Sequence, residues 1–237
     1  MPRYALIIEY DGTAYAGWQR QKDVRSVQQA IEEAAYRFCG QAVTLACAGR
    51  TDAGVHARAQ VAHLDLDGAY PAFRVAEALN AHLRDETVSI LRAEHVHDGF
   101  HARFDARRRH YHYRIITRRA PLVLERWRAW QIYQPLDLAA MRKGAAYLLG
   151  NHDFSAFRDA QCQARSPIRT LERLDIHAEG DAITLEVTAP SFLHHQVRII
   201  TGSLVEIGKG RRSPEWMATL LAGRMRTRAG PTAAAHG

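Results

Sequence analysis

The residues of this 237-residue chain best suited to chemistry lie in one stretch, Gly49-Arg50-Thr51-Asp52-Ala53-Gly54-Val55-His56-Ala57. A short apolar run, Val43 to Ala48, leads into it and reads as a strand ending in a polar turn. Two glycines flank one carboxylate, and glycine lets another backbone or a ligand approach closely. A carboxylate on such a turn, beside the Arg50 guanidinium, stays ionised and is presented outward, as a nucleophile or an ion clamp requires. The plainer alternative is a tight loop whose Asp52 bonds its own backbone amides. The nine residues alone leave both readings open.

Two histidine pairs, His110-Tyr111-His112 and His194-His195, invite a metal, but neither has a third ligand at a recognisable zinc spacing, so no metal is expected. The three cysteines, Cys39, Cys47 and Cys162, are odd in number and unpaired in spacing, which predicts reduced, structural thiols. A net charge of +7 favours a polyanionic partner. The charge is uneven: residues 1–102 carry 10 basic against 13 acidic side chains, residues 103–237 carry 22 against 12. Of the 32 basic residues only Lys22, Lys143 and Lys209 are lysines, and guanidinium groups fork onto phosphates and stack on bases. No apolar run approaches the ~20 residues of a membrane span. Met1-Pro2-Arg3-Tyr4 enters a strand pattern directly, without signal-peptide organisation, which predicts a cytoplasmic protein.

The elements that must position these residues follow an α+β order. Tyr4–Tyr10 alternates as a strand, and Tyr15 to Gln21 is an irregular stretch pinned by Trp18 or facing RNA. Ser26 with Gln29 signs a helix start; Val27, Ile31, Ala34, Ala35 and Phe38 make its apolar face and Gly40 its stop. Val43–Ala48 and Gln60–Leu66 read as strands around the Asp52 turn, which puts the turn at a sheet end. Pro71 opens a helix burying Phe73, Ala76, Leu79 and Leu83, and Val88–Val96 is a further strand. The domain boundary is expected near residue 104, giving an N-terminal α+β domain of 1–103 with the aspartate loop and a basic α+β domain of 104–237. In the second, His110–Thr117 is a strand with Tyr111, Tyr113 and Ile115 on one face and His110, His112 and Arg114 on the other. Trp130 and Ile132 mark a short strand, Asp137 caps a helix stopped by Gly150, and Pro167–Ala178 pairs with Ala182–Ala189 through a hairpin at Glu179-Gly180-Asp181. Ser191 to Arg198 introduces a helix, and Ser213-Pro214 opens the last.

With these residues laid out, the chain resembles the TruA family of tRNA pseudouridine synthases over nearly its whole length. The motifs that carry the likeness are Glu9-Tyr10-Asp11-Gly12-Thr13, Gly17-Trp18-Gln19-Arg20-Gln21, Ala48 to Ala57, Phe100-His101-Ala102-Arg103-Phe104, Asn151-His152-Asp153-Phe154 and Phe192-Leu193-His194-His195-Gln196-Val197-Arg198. The resemblance implies an isomerase that converts uridine to pseudouridine in the anticodon stem-loop of tRNA (positions 38, 39 and 40), without cofactor or metal and as a homodimer. Carried over by motif, Asp52 is the catalytic aspartate, Arg198 the arginine that pairs with it, Arg50 a member of the same motif and Tyr111 the base-stacking tyrosine. The fold implied is two α+β domains with antiparallel sheets joined into a central sheet, helices outside and the active site in the cleft between them. Contacts to tRNA are expected from Arg20, Gln21, Arg58, Arg107, Arg108 and Arg109. Family members usually continue past Pro231–Gly237 into another apolar strand, whose absence here is expected to expose an edge. Two competing readings are a tRNA-binding protein without catalysis and a metal-dependent nuclease built on Asp52, His56 and His63.

Overall fold

Alternation along Arg3–Tyr10 makes that segment, β1, the spine of the first sheet: Tyr4, Leu6, Ile8 and Tyr10 all turn into the core. In the computed structural model, which describes residues 1–237, β1 is followed by α1 (Val27–Cys39), β2 (Ala46–Cys47), β3 (Ala57–Asp65), α2 (Ala72–His82) and β4 (Val88–Val96). The sheet order is β2-β3-β1-β4 and every neighbouring pair is antiparallel. Ser26 caps α1 by accepting the Gln29 amide, and Gly40 ends it in the left-handed region at φ 71°. Val27, Ile31, Ala34 and Ala35 of α1 join Val75, Leu79 and Leu83 beside α2 in one core with β1.

Three expectations give way here. The Val43–Ala48 strand shrinks to Ala46–Cys47, because only those two residues pair with β3, at Ala62 and His63. The strand leaving the turn begins at Ala57, three residues before Gln60, since pairing with β1 starts at Tyr10. Phe73 is 59 % exposed; Val75 takes the buried place on α2.

The second unit begins with β5 (Arg109–Thr117), β6 (Trp130–Ile132), α3 (Leu138–Ala146) and β7 (Gly150–Asp153). It continues through β8 (Ile168–Leu171), β9 (Arg173–Glu179), β10 (Ala182–Ala189), α4 (Gln196–Gly208) and α5 (Trp216–Gly223). Its sheet runs β6-β5-β10-β9, and β7–β8 form a separate two-stranded sheet. β5 and β6 are parallel, as the crossover through residues 118–129 permits. The Pro167–Ala178 strand is two strands: β8 pairs with β7, and β9 pairs with β10. Gly150 does not stop α3, which ends at Ala146; with φ 96° it opens β7 instead. α4 is buried nearly throughout and packs on α3.

The segment after α5 is not a strand. It runs along α4, where Gly230 N–H donates to Ser203 Oγ (2.9 Å), Ala233 N–H to the Arg198 carbonyl (3.1 Å), and Tyr113 Oη to the Ala234 carbonyl (2.7 Å). Ala233 is fully buried, and Gly202 admits the segment: a Cβ there would lie 1.8 Å from the Pro231 oxygen. The edge of β5 is covered by β6. Contacts divide the chain into Met1–Ala106 and Arg107–Gly237. No helix is long and apolar enough to cross a membrane.

Candidate active site

The Asp52 turn is gripped by the chain that leaves β1. Gly12 and Gly17 press backbone against it: a Cβ on Gly12 would lie 2.1 Å from the Val55 oxygen, and one on Gly17 2.6 Å from the Thr51 oxygen. Gly17 also has φ 93°, so two independent reasons require glycine there. Trp18 N–H donates to the Thr51 carbonyl (3.0 Å), Tyr10 Oη meets Thr51 Oγ1 (2.8 Å), and the Val55 amide closes the turn on the Asp52 carbonyl (3.2 Å). Gln60 Nε2 donates to the Gly49 carbonyl (2.6 Å) from the other side. His56 Nδ1 is 3.1 Å from both the Gly12 amide nitrogen and an Asp11 carboxylate oxygen; neutral it accepts the amide, protonated it donates to Asp11. Asp52 is half-buried and Arg50 exposed.

The gripping segment is itself anchored. Gly17 and Trp18 carbonyls accept the Val27 and Gln28 amides, filling orphan donors of the first turn of α1. Tyr15 Oη donates to Glu86, and burial together with that bond pushes the phenol up to about 12. Arg25 bridges Glu86 and Glu33. Arg20 reaches Glu32 (3.0 Å), a carboxylate only 7 % exposed that also accepts from Gln28 and the Leu45 amide. Gln21 donates to the Ala16 carbonyl (3.0 Å), and Arg58 stands exposed at the start of β3.

His63 is a core residue. It is 6 % exposed, its Nδ1 accepts the Ala102 amide (3.1 Å), and its ring meets Phe100 and His101 edge-on. Asp52, His56 and His63 do not converge as a set of metal ligands, so a nuclease reading is not supported on those three residues. Burial, with Arg3 and His101 nearby, holds the His63 imidazolium below its usual range, against the weaker pull of Asp65 and Asp105. The neutral ring therefore contributes stability above the unfolded-state range, and that contribution is lost as pH falls below it. His63→Gln keeps an acceptor for Ala102 but does not titrate. Between pH 7.5 and 5.5 the parent should lose more Tm than the variant; parallel melting curves would refute it. Cys47 behaves as the sequence predicts for a structural thiol: burial pushes it up to about 11.

In the second unit Tyr111 and Arg198 lie near the N-terminus of α4. Tyr111, half-buried on β5, meets Phe192 edge-on at 5.1 Å. Arg198, in the first turn of α4, donates through Nε to the Ala233 carbonyl (2.8 Å), which fixes the plane of its guanidinium. Arg108 pairs with Glu172 (2.6 Å), Arg109 donates to the Pro190 carbonyl, and Arg107 is exposed. Sequence reasoning missed Asp159, whose Oδ2 lies 2.8 Å from His195 Nδ1 and whose Oδ1 lies 3.7 Å from His194. No spacing rule links residues 36 positions apart. Farther along the sheet, Asp175, His177 and Glu186 bring ligand atoms within 4.8 Å of one another. Arg173 already bridges the two carboxylates there.

A glycine-gripped aspartate turn lies on one α+β unit, and the second α+β unit is rich in arginine. The tRNA pseudouridine synthase profile matches residues 6–105 and 145–237, and the chain belongs to that family of isomerases. It is 54 % identical over 237 residues to tRNA pseudouridine synthase A of Xanthobacter autotrophicus, covering 100 % of this chain and 97 % of that protein. It is 53 % identical over 239 residues to the protein of the same name from Brucella ovis, covering 100 % and 95 %.

Proposed function

We propose that this chain isomerises uridine to pseudouridine in the anticodon stem-loop of tRNA, at positions 38 to 40, as a cytoplasmic homodimer that uses no cofactor. The observation that carries the reading is the Asp52 turn, whose backbone is held by Gly12, Gly17, Trp18 and Gln60. Such rigidity suits a carboxylate that must meet one reacting atom. The uracil must leave C1′, turn, and rejoin through C5. Asp52 promotes the cleavage by attack on C1′ or C6, or by taking the 2′ proton. We assign Arg198 as the guanidinium that pairs with this carboxylate and aims it, with Arg50 beside it in the same motif. Tyr111 stacks on the base and limits where it moves, so recapture outcompetes loss. The target base sits in a stem and must be flipped out, with arginines holding the distorted backbone.

Tritium at uracil C5 of a tRNA transcript should be released by this chain with the RNA left intact. Release with cleaved RNA, or none, would overturn the reading. Arg20, Gln21, Arg58 and Arg107–Arg109 are assigned to the phosphate backbone. Within that set, Arg107→Ala with Arg108→Ala should flatten the salt dependence of tRNA binding by a slope of about 1–2, since each lost phosphate contact removes about one released counterion. Arg108 divides its charge with Glu172, so Arg107 should carry more of the effect. An unchanged slope would take the strip off the binding surface.

A further inference from the structure

We propose that His195, oriented by Asp159, is the base that takes the proton from C5 of the uracil. The inference rests on the isomerisation proposed above. In that reaction the N1–C1′ bond breaks and a C5–C1′ bond forms. C5 then carries both the sugar and its original hydrogen, and aromaticity returns only when that hydrogen leaves as a proton. N1 gains a proton, so atoms balance and no electrons are gained or lost. The second step needs a base.

Several observations converge on His195. Its Nδ1 lies 2.8 Å from Asp159 Oδ2. A carboxylate at Nδ1 favours the tautomer with hydrogen on that side, which leaves Nε2 as the nitrogen with the free lone pair. Asp159 is kept ionised by the Gln161 amide (2.8 Å) and by His195 itself. The backbone of His195 is left-handed, φ 58° and ψ 7°, at the N-cap of α4, and its side chain makes no cap bond. A serine, asparagine or aspartate would cap the helix better, and a non-glycine residue in that conformation is held there at a cost. The local chain is stitched to hold it: the Asp159 amide donates to the His194 carbonyl (3.2 Å), the His194 amide to Cys162 Sγ (3.4 Å), and Arg158 to the Cys162 and Ala164 carbonyls. The pair stands at the same helix end as Phe192, which touches Tyr111, and Arg198 lies one turn farther on. The competing account is a structural helix start only.

The test uses full-length chain and tRNA transcripts whose uracils carry hydrogen or deuterium at C5, with pseudouridine formation followed in single turnover. In His195→Gln the rate should fall by about 10²-fold or more, the usual contribution of a positioned base, with tRNA affinity kept. The deuterated substrate should then react measurably slower than the protonated one, because proton removal has become limiting. Asp159→Asn, which presents the wrong tautomer partner, should reproduce the isotope sensitivity without altering His195; it also serves if His195→Gln folds poorly. A merely structural role would slow both substrates equally, and that result in both variants overturns the assignment while the synthase reading stands. A parent that forms no pseudouridine overturns the reaction reading and the base assignment with it.

Discussion

Asp52→Asn should abolish tritium release from C5-labelled tRNA, with a loss on the order of 10⁴-fold or more, while tRNA affinity stays within a few-fold. Asparagine keeps the size of the side chain, and the turn itself is held by backbone groups: the Asp52 carbonyl with Val55, and the Thr51 carbonyl with Trp18. The substitution therefore removes the negative charge and the nucleophile and leaves their frame. RNA binding is assigned to guanidinium groups elsewhere, so it should survive. A binding-only protein would show no release from either form. If the variant keeps a tenth of the parent rate, Asp52 is not the catalytic group, and the resemblance carried over by motif fails at its central residue.

Gly17→Ala should cost about 10²-fold in kcat with little change in KM for tRNA, because displacement of a reacting group by about 1 Å has that effect. The added Cβ would meet the Thr51 oxygen at 2.6 Å and the Asp52 carbonyl carbon at 3.0 Å, all backbone atoms that cannot rotate away. The turn must shift, and Asp52 shifts with it. The φ of 93° adds strain of order 1–3 kcal/mol that weakens folding as well. Gly40→Ala separates the two effects. Gly40 also has positive φ, 71°, but nothing lies within 4 Å of its Cβ position, so it should cost stability and leave kcat unchanged. Equal kcat for both variants would mean that the grip of residues 12–18 on the turn does not set the reaction geometry.

Local signals in the sequence located most elements. Ser26 and Gly40 bound α1, Asp137 starts α3, and Val88–Val96 is read to the residue, because caps and alternation are properties of neighbouring residues. The Asp52 turn was legible in the same way, since glycines around a carboxylate announce themselves in nine residues. What escaped the sequence depends on distant partners. β2 is two residues long because only two find places beside β3, and Phe73 is exposed because Val75 claims the core. Gly12 and Gly17 look like ordinary turn residues until the fold lays them on Val55 and Thr51.

For function the division is similar. The amino-acid sequence by itself determined the kind of protein, through motifs dense enough to specify a family, and the excess of arginine in its second half. Only the tertiary structure decided how Arg198 is held, by a carbonyl from residue 233, and that His195 is paired with Asp159. Hydrogen bonds act over about 3 Å in space whatever the separation along the chain. A pairing 35 or 36 residues apart leaves no periodicity to read, and exists only once strands and helices have brought its two ends together.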